Sequence, residues 1–118
     1  MAGLTTHVLD TVNGRPAAGV EIELFELGPD GVRVRIAQAR TNKDGRTDSP
    51  LIPAGAARTG SFQLEFHIGD YFRGVGAATA DPAFLDVVPI RFGIADPSAH
   101  YHVPLVATPW SYSTYRGS

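Results

Sequence analysis

Residues 61 to 68 read Ser61-Phe62-Gln63-Leu64-Glu65-Phe66-His67-Ile68, apolar and polar by turns. Successive side chains of a strand point to opposite faces, so Phe62, Leu64, Phe66 and Ile68 form one row and Gln63, Glu65 and His67 the other. A helix would scatter those apolar groups around its circumference. The stretch therefore reads as a strand with one dry face and one wet face. The same period of two recurs on both sides of it, which makes the chain all-β.

Working back toward the start, Val20 to Leu27 sets Val20, Ile22 and Leu24 against Glu21 and Glu23. The tight turn Gly28-Pro29-Asp30-Gly31 leads into Val32, Val34 and Ile36, which alternate with Arg33 and Arg35. This predicts a hairpin with one apolar and one charged face. Leu4 to Asp10 is a further half-buried strand with Leu4 and Val8 inward and His7 outward, ended by the turn signal Asn13-Gly14-Arg15-Pro16. Arg40 to Pro50 is too polar for a core and reads as a loop in which Asp44-Gly45 reverses the chain and presents Arg46. A short edge strand is expected at Leu51-Ile52-Pro53, and another loop from Gly55 to Gly60.

Downstream, Asp70 is placed to N-cap a turn or two of helix through Tyr71, Phe72 and Arg73, which Gly74 and Gly76 cut short. Val87 to Ile94 reads as a strand with Val88, Ile90, Phe92 and Ile94 inward. In His100 to Thr108 the apolar set is Tyr101, Val103 and Leu105, so His100 and His102 face away from the core. Tyr112 to Arg116 has strand composition, and the aromatic content and lack of linker residues predict a docked tail rather than a frayed one. Seven or eight short strands with at most one brief helix make a β-sandwich, as a single domain over residues 1–118.

Composition excludes several classes of function. The chain has no cysteine, so disulfides and thiolate metal sites are ruled out. A formal charge of −2 without a basic block leaves no electrostatic footprint for nucleic acid or an anionic membrane. No apolar run is long enough to span a bilayer, and the opening Met-Ala-Gly-Leu lacks the pattern of an export signal. The closing Arg-Gly-Ser is no peroxisomal address, and a cytoplasmic location is expected.

The chemistry rests on His7, His100, His102 and Arg46. A single outward histidine is more often solvated than functional, but three on predicted non-core faces, with a guanidinium in a loop, form a set. A His-x-His pair with a third histidine can hold zinc, although no carboxylate stands in an obvious supporting place. The same imidazoles can instead activate water while Arg46 stabilises charge on a carbonyl oxygen, as in a cofactor-free hydrolase. Tyr115 and Ser118 can hold a polar ligand by hydrogen bonds.

The runs LTTHVLDTVNGRPA (4–17), TNKDGRT (41–47), HYHVPL (100–105) and STYRGS (113–118) resemble the transthyretin-related family of 5-hydroxyisourate hydrolases, over nearly the whole chain. The terminal Tyr-Arg-Gly-Ser separates these enzymes from the transthyretins proper, which share the fold but carry hormone. The resemblance implies a transthyretin-like, or prealbumin-like, sandwich of two four-stranded sheets with one short helix. It also implies a homotetramer, a dimer of dimers with active sites in clefts where the dimers meet. By motif position it implies catalytic roles for His7, Arg46 and His102, and substrate contacts from Tyr115, Ser118 and Arg46. His100 and Arg116 fall in supporting positions. The implied reaction opens the ring of 5-hydroxyisourate at an amide bond, in urate breakdown, to 2-oxo-4-hydroxy-4-carboxy-5-ureidoimidazoline, without metal or organic cofactor. A hormone-type carrier with a central channel is the competing expectation.

Overall fold

The computed structural model describes residues 3–77 and 80–117. In chain order the elements are β1 (Gly3–Asp10), β2 (Arg15–Pro16), β3 (Glu21–Leu27), β4 (Arg33–Arg40), β5 (Gly60–His67), α1 (Ile68–Gly74), β6 (Val87–Ile94), β7 (His100–Ala107) and β8 (Tyr112–Thr114). They build two four-stranded sheets, ordered β2-β1-β7-β8 and β4-β3-β5-β6. The expected sandwich with one short helix is the fold observed.

Alternation along each strand sets the core. Phe62, Leu64 and Phe66 from β5 are at most 1% exposed, and they meet Leu4 and Val8 of β1 and Leu105 of β7 from the facing sheet. Burying each such side chain contributes about 1.5–3 kcal/mol, enough in sum to hold the sheets together without a covalent staple. One polar group is drawn in with them: the Asp10 carboxylate, 1% exposed, accepts from Tyr71 Oη of α1 at 2.7 Å and from Asn13 Nδ2 at 2.7 Å. Burial alone would push that carboxyl up. The bonds from Asn13, Tyr71 and Val12 outweigh it and hold Asp10 below the usual carboxylate range, while burial and the same carboxylate push Tyr71 to about 12. This tie fastens the helix to the end of β1.

Among the described residues all strand pairings are antiparallel except one. β1 and β7 run parallel, in a register that sets Leu4 beside Tyr101, Thr5 beside His102 and Val8 beside Leu105. Their inward residues therefore share the core, and their outward residues share one face of the sheet.

Four expectations change. Val32, Val34 and Ile36 were placed on a dry face, yet they are 58%, 58% and 40% exposed. Leu24 pairs with Ala37 and Phe25 with Arg35, leaving Ile36 without a partner, so beyond this bulge Ala37 and Ala39 take the core face; Val34, across Glu26 from Phe62, keeps the inward face but lies on the edge strand and stays exposed. Leu51-Ile52-Pro53 supplies only a bridge from Ile52 to Leu4, because the two-residue β2 takes the other part of the β1 edge. Asp70 lies inside the first turn of α1, bonded to Arg73 at 2.9 Å, while the cap position is His67 without a capping side chain. Finally, β8 ends at Thr114. Among the described residues no helix is long and apolar enough to cross a membrane.

Candidate active site

The outward face of β1 and β7 carries Thr5, His7, His100 and His102. Because Thr5 is the register partner of His102 and His7 that of Pro104, the imidazoles of His7 and His102 stand diagonally across two adjacent strands. Thr5 Oγ1 lies between the other two rings, 3.1 Å from His100 Nε2 and 2.8 Å from His102 Nδ1. On the inward side Thr6 buries its hydroxyl by donating to the Val103 carbonyl at 2.7 Å, which locks the strands together beneath the site.

Arg46 comes from the loop between β4 and β5. The Asn42 side-chain oxygen accepts from the Asp44 and Arg46 backbone N–H groups at 2.9 and 3.2 Å, curling the loop on itself. The Val8 N–H then donates to the Gly45 carbonyl at 2.8 Å, and Arg46 bridges to His7. Glycine is required at the contact: residue 45 has φ +75°, and a Cβ there would sit 2.4 Å from the Val8 oxygen. This seating also fixes a tautomer. His7 Nε2 lies 2.9 Å from the Asp44 carbonyl, which can only accept, so Nε2 carries the proton and Nδ1 is the bare nitrogen of neutral His7.

The tail closes on the same sheet. Gly117 N–H donates to the His102 carbonyl at 2.7 Å, and a Cβ at residue 117 would approach His102 Cδ2 to 2.6 Å. Arg116 lays its guanidinium over the Tyr101 ring, 4.1 Å from the centroid, and reaches the His100 carbonyl at 3.5 Å. The expected docked tail is thus present through Gly117. Tyr115 is 60% exposed and lines a different cleft, with Tyr101, Ile90 and Phe92, between the open edges at β6 and β8. Ser118 lies outside the described residues. The structure therefore brings together His7, Arg46, His100 and His102, and places the Tyr115 side chain apart from them.

Burial, and after it the charge of Arg46, lowers the pKa of both His7 and His102 below the ordinary imidazole value. His7 and His100 each lower His102 a little further. At neutral pH His7 and His102 are uncharged beside the Arg46 cation, the pairing needed for a base and an anion-stabilising donor. A three-histidine metal cluster is not formed. Among the described residues the side chains whose ligating atoms lie within 4.8 Å of one another are Glu21, Glu23 and His67, on the outer face of the other sheet. Those carboxylates are already met by Arg40, Gln38 and Arg35.

Alternation had assigned His7, His100 and His102 to a non-core face, and the loop had assigned Arg46. Thr5, Gly45 and Gly117 were missed as parts of the site. Thr5 shares the parity of His7, which was the available signal; the two glycines act by close approach, which leaves no trace in alternation.

Residues 4–117 match the model of the HIUase/Transthyretin family. A 5-hydroxyisourate hydrolase of Deinococcus radiodurans is 60% identical over 116 residues, covering 98% of this chain and 96% of that one. The solved 5-hydroxyisourate hydrolase of Klebsiella pneumoniae is 32% identical with a TM-score of 0.79, covering 98% of each chain. Sea bream transthyretin in complex with thyroxine is 28% identical with a TM-score of 0.85, covering 97% of this chain and 93% of that one.

Proposed function

The chain belongs to the HIUase/Transthyretin family, and we propose that it is a cofactor-free hydrolase of 5-hydroxyisourate. The observation that carries this reading is the meeting of neutral His7 and His102 with the Arg46 guanidinium on one outward sheet face. A relative at 60% identity that bears the name of that enzyme supports it.

His7 and His102 orient a water and remove its proton as its oxygen adds to the amide carbonyl carbon. Arg46 donates to the oxygen of that carbonyl as it becomes an anion. Collapse of the tetrahedral centre breaks the carbon–nitrogen bond, and the departing nitrogen takes a proton from the imidazolium. The net change is addition of one water across the amide, giving 2-oxo-4-hydroxy-4-carboxy-5-ureidoimidazoline, and no redox partner enters. Arg46 and Ser118 hold the ring, with the tail fixed at Gly117, while His100 and Arg116 support from behind; Tyr115, which lines the cleft between β6 and β8, has no part in it.

In a single chain the imidazoles stand on an open sheet, with His100 and Arg46 exposed. Binding pockets bury most of a small ligand's surface, so one wall is not enough. A homotetramer, assembled as a dimer of dimers that faces this sheet against a second copy, supplies the other wall.

The test is His102→Asn, assayed by the ultraviolet decay of freshly generated 5-hydroxyisourate after subtraction of its spontaneous hydrolysis. The expected result is a folded protein with severely reduced turnover; near-normal decay would overturn the assignment. The likeness to a thyroxine-bound transthyretin supports one rival, a carrier without catalysis. Deleting Tyr115 to Ser118 separates the two, since it abolishes hydrolysis in an enzyme and is tolerated in a carrier.

A further inference from the structure

His7 has its tautomer settled by a carbonyl alone, whereas His102 meets both the backbone and the hydroxyl of Thr5. Its Nδ1 faces a hydroxyl, and a hydroxyl has one proton to give and lone pairs to receive. The same oxygen faces His100 Nε2 at 3.1 Å, so the two rings compete for a single O–H. Register makes this unavoidable: Thr5 is the direct partner of His102 in the parallel pair, and His100 lies two residues back on the same face. As a β-branched residue Thr5 has restricted side-chain rotation, which keeps its oxygen between the rings.

Two arrangements place the O–H between the rings; a third, in which the oxygen accepts from both, gives His102 the same tautomer as the second of these. In one, Thr5 donates to His102 Nδ1, which leaves the proton of His102 on Nε2 and its basic lone pair tied up. In the other, His102 Nδ1–H donates to Thr5, and Thr5 passes its own proton to His100 Nε2. His100 is exposed, so water can serve its second nitrogen in either tautomer. Arg46 keeps His102 neutral in either arrangement, and only the second leaves its bare nitrogen outside the Thr5 contact.

We propose that Thr5 is a positioning residue for the reaction: its hydroxyl accepts from His102 Nδ1–H and donates to His100 Nε2, holding His102 with its Nε2 lone pair free for water. This rests on the reading of His102 as a base given above. Thr5 touches no substrate in this scheme and acts through the ring. The arrangement resembles the hydrogen-bonded partners that fix metal-ligating histidines elsewhere, whose removal costs about ten- to a hundredfold in affinity or activity.

Nitrogen-15 spectra of the full-length protein, with the His102 signals assigned by His102→Asn, report the tautomer without substrate. The wild type is expected to show a protonated Nδ1 and a bare Nε2. Thr5→Val, which keeps the shape and removes the hydroxyl, is expected to lose that preference and about ten- to a hundredfold in kcat, with KM changed less. Thr5→Ser is expected to restore both. A wild-type His102 protonated on Nε2 overturns the proposal even if His102 proves essential. So does a folded Thr5→Val with unaltered tautomer and kcat. Should Thr5→Val fail to fold, the wild-type spectrum and Thr5→Ser decide. A His102→Asn variant of normal activity, by contrast, would remove the base assignment while leaving the tautomer measurement intact.

Discussion

His67 and His102 both point outward from the sandwich, on opposite sheets, and their neighbours treat them differently. His67 Nε2 lies 2.8 Å from Glu23 Oε1, and Glu23 also receives Arg35 at 3.1 Å. Around them Arg33 pairs with Glu65 and Arg40 with Glu21, so the outer face of β4-β3-β5-β6 balances its charges locally. The bond from His67 leads the influences that hold Glu23 below the usual carboxylate range. Among the described residues, those that bond or shift His102 are neutral or positive: Thr5, His7, His100 and Arg46. The same residue types make a solvated, self-satisfied surface on one side and, on the other, imidazoles whose main charged neighbour is the Arg46 cation, with Asp44 a lesser opposing influence on His7. A substrate carbonyl that becomes an anion supplies that cation's counter-charge.

Substituting the two histidines alike gives the hardest test of this contrast. His102→Asn is expected to lower kcat by about a hundred- to ten-thousandfold, the range for loss of a general base, and His67→Asn to leave it unchanged in the same assay. Comparable losses from both would erase the distinction between the faces.

Removing the fixed cation comes next. Arg46→Gln is expected to reduce kcat by about a hundred- to a thousandfold, as for loss of an anion-stabilising donor. It also carries a signature in pH. Because burial and Arg46 depress His7 and His102, kcat/KM in the native protein stays level below neutrality and falls only at pH values under the ordinary 6.5 of imidazole. Without Arg46 that acid limb moves upward. The folded state binds fewer protons than the unfolded chain between the lowered values and 6.5, so stability too declines as pH falls through that window.

A smaller effect is expected at the tail. Gly117→Ala forces a methyl against the His102 ring, and a shift of the imidazole by a fraction of an ångström to an ångström lowers kcat by up to about a hundredfold with the melting temperature nearly unchanged. On the opposite face, Glu23→Gln is expected to cost about 1 kcal/mol or less in denaturant titration and nothing in turnover. That stability was present above the ordinary glutamate range and is lost from the native protein as pH falls through the depressed value of Glu23.

Much of this could be read before the structure, because alternation is a local rule. It placed Phe62, Leu64 and Phe66 inside and His7, His100 and His102 outside, and the Asn42 to Arg46 loop announced itself by its turn residues. What failed depended on relations between strands. The bulge at Ile36 reverses the phase of β4, and nothing in Val32, Val34 and Ile36 signals it. Parallel pairing of β1 with β7 brings Thr5 to His102 across 97 residues of sequence, a choice of neighbour that neither strand encodes alone. Gly45 and Gly117 matter for the methyl group they lack, and an absent atom has no period.

The parallel pair has a temporal consequence. Since β1 gains His100 and His102 only through β7, a growing polypeptide that has emerged as far as β6 possesses all four strands of the other sheet but, of the imidazole cluster, His7 alone. The cluster is therefore completed only near the end of synthesis, and a chain that stops before β7 lacks two of its three imidazoles.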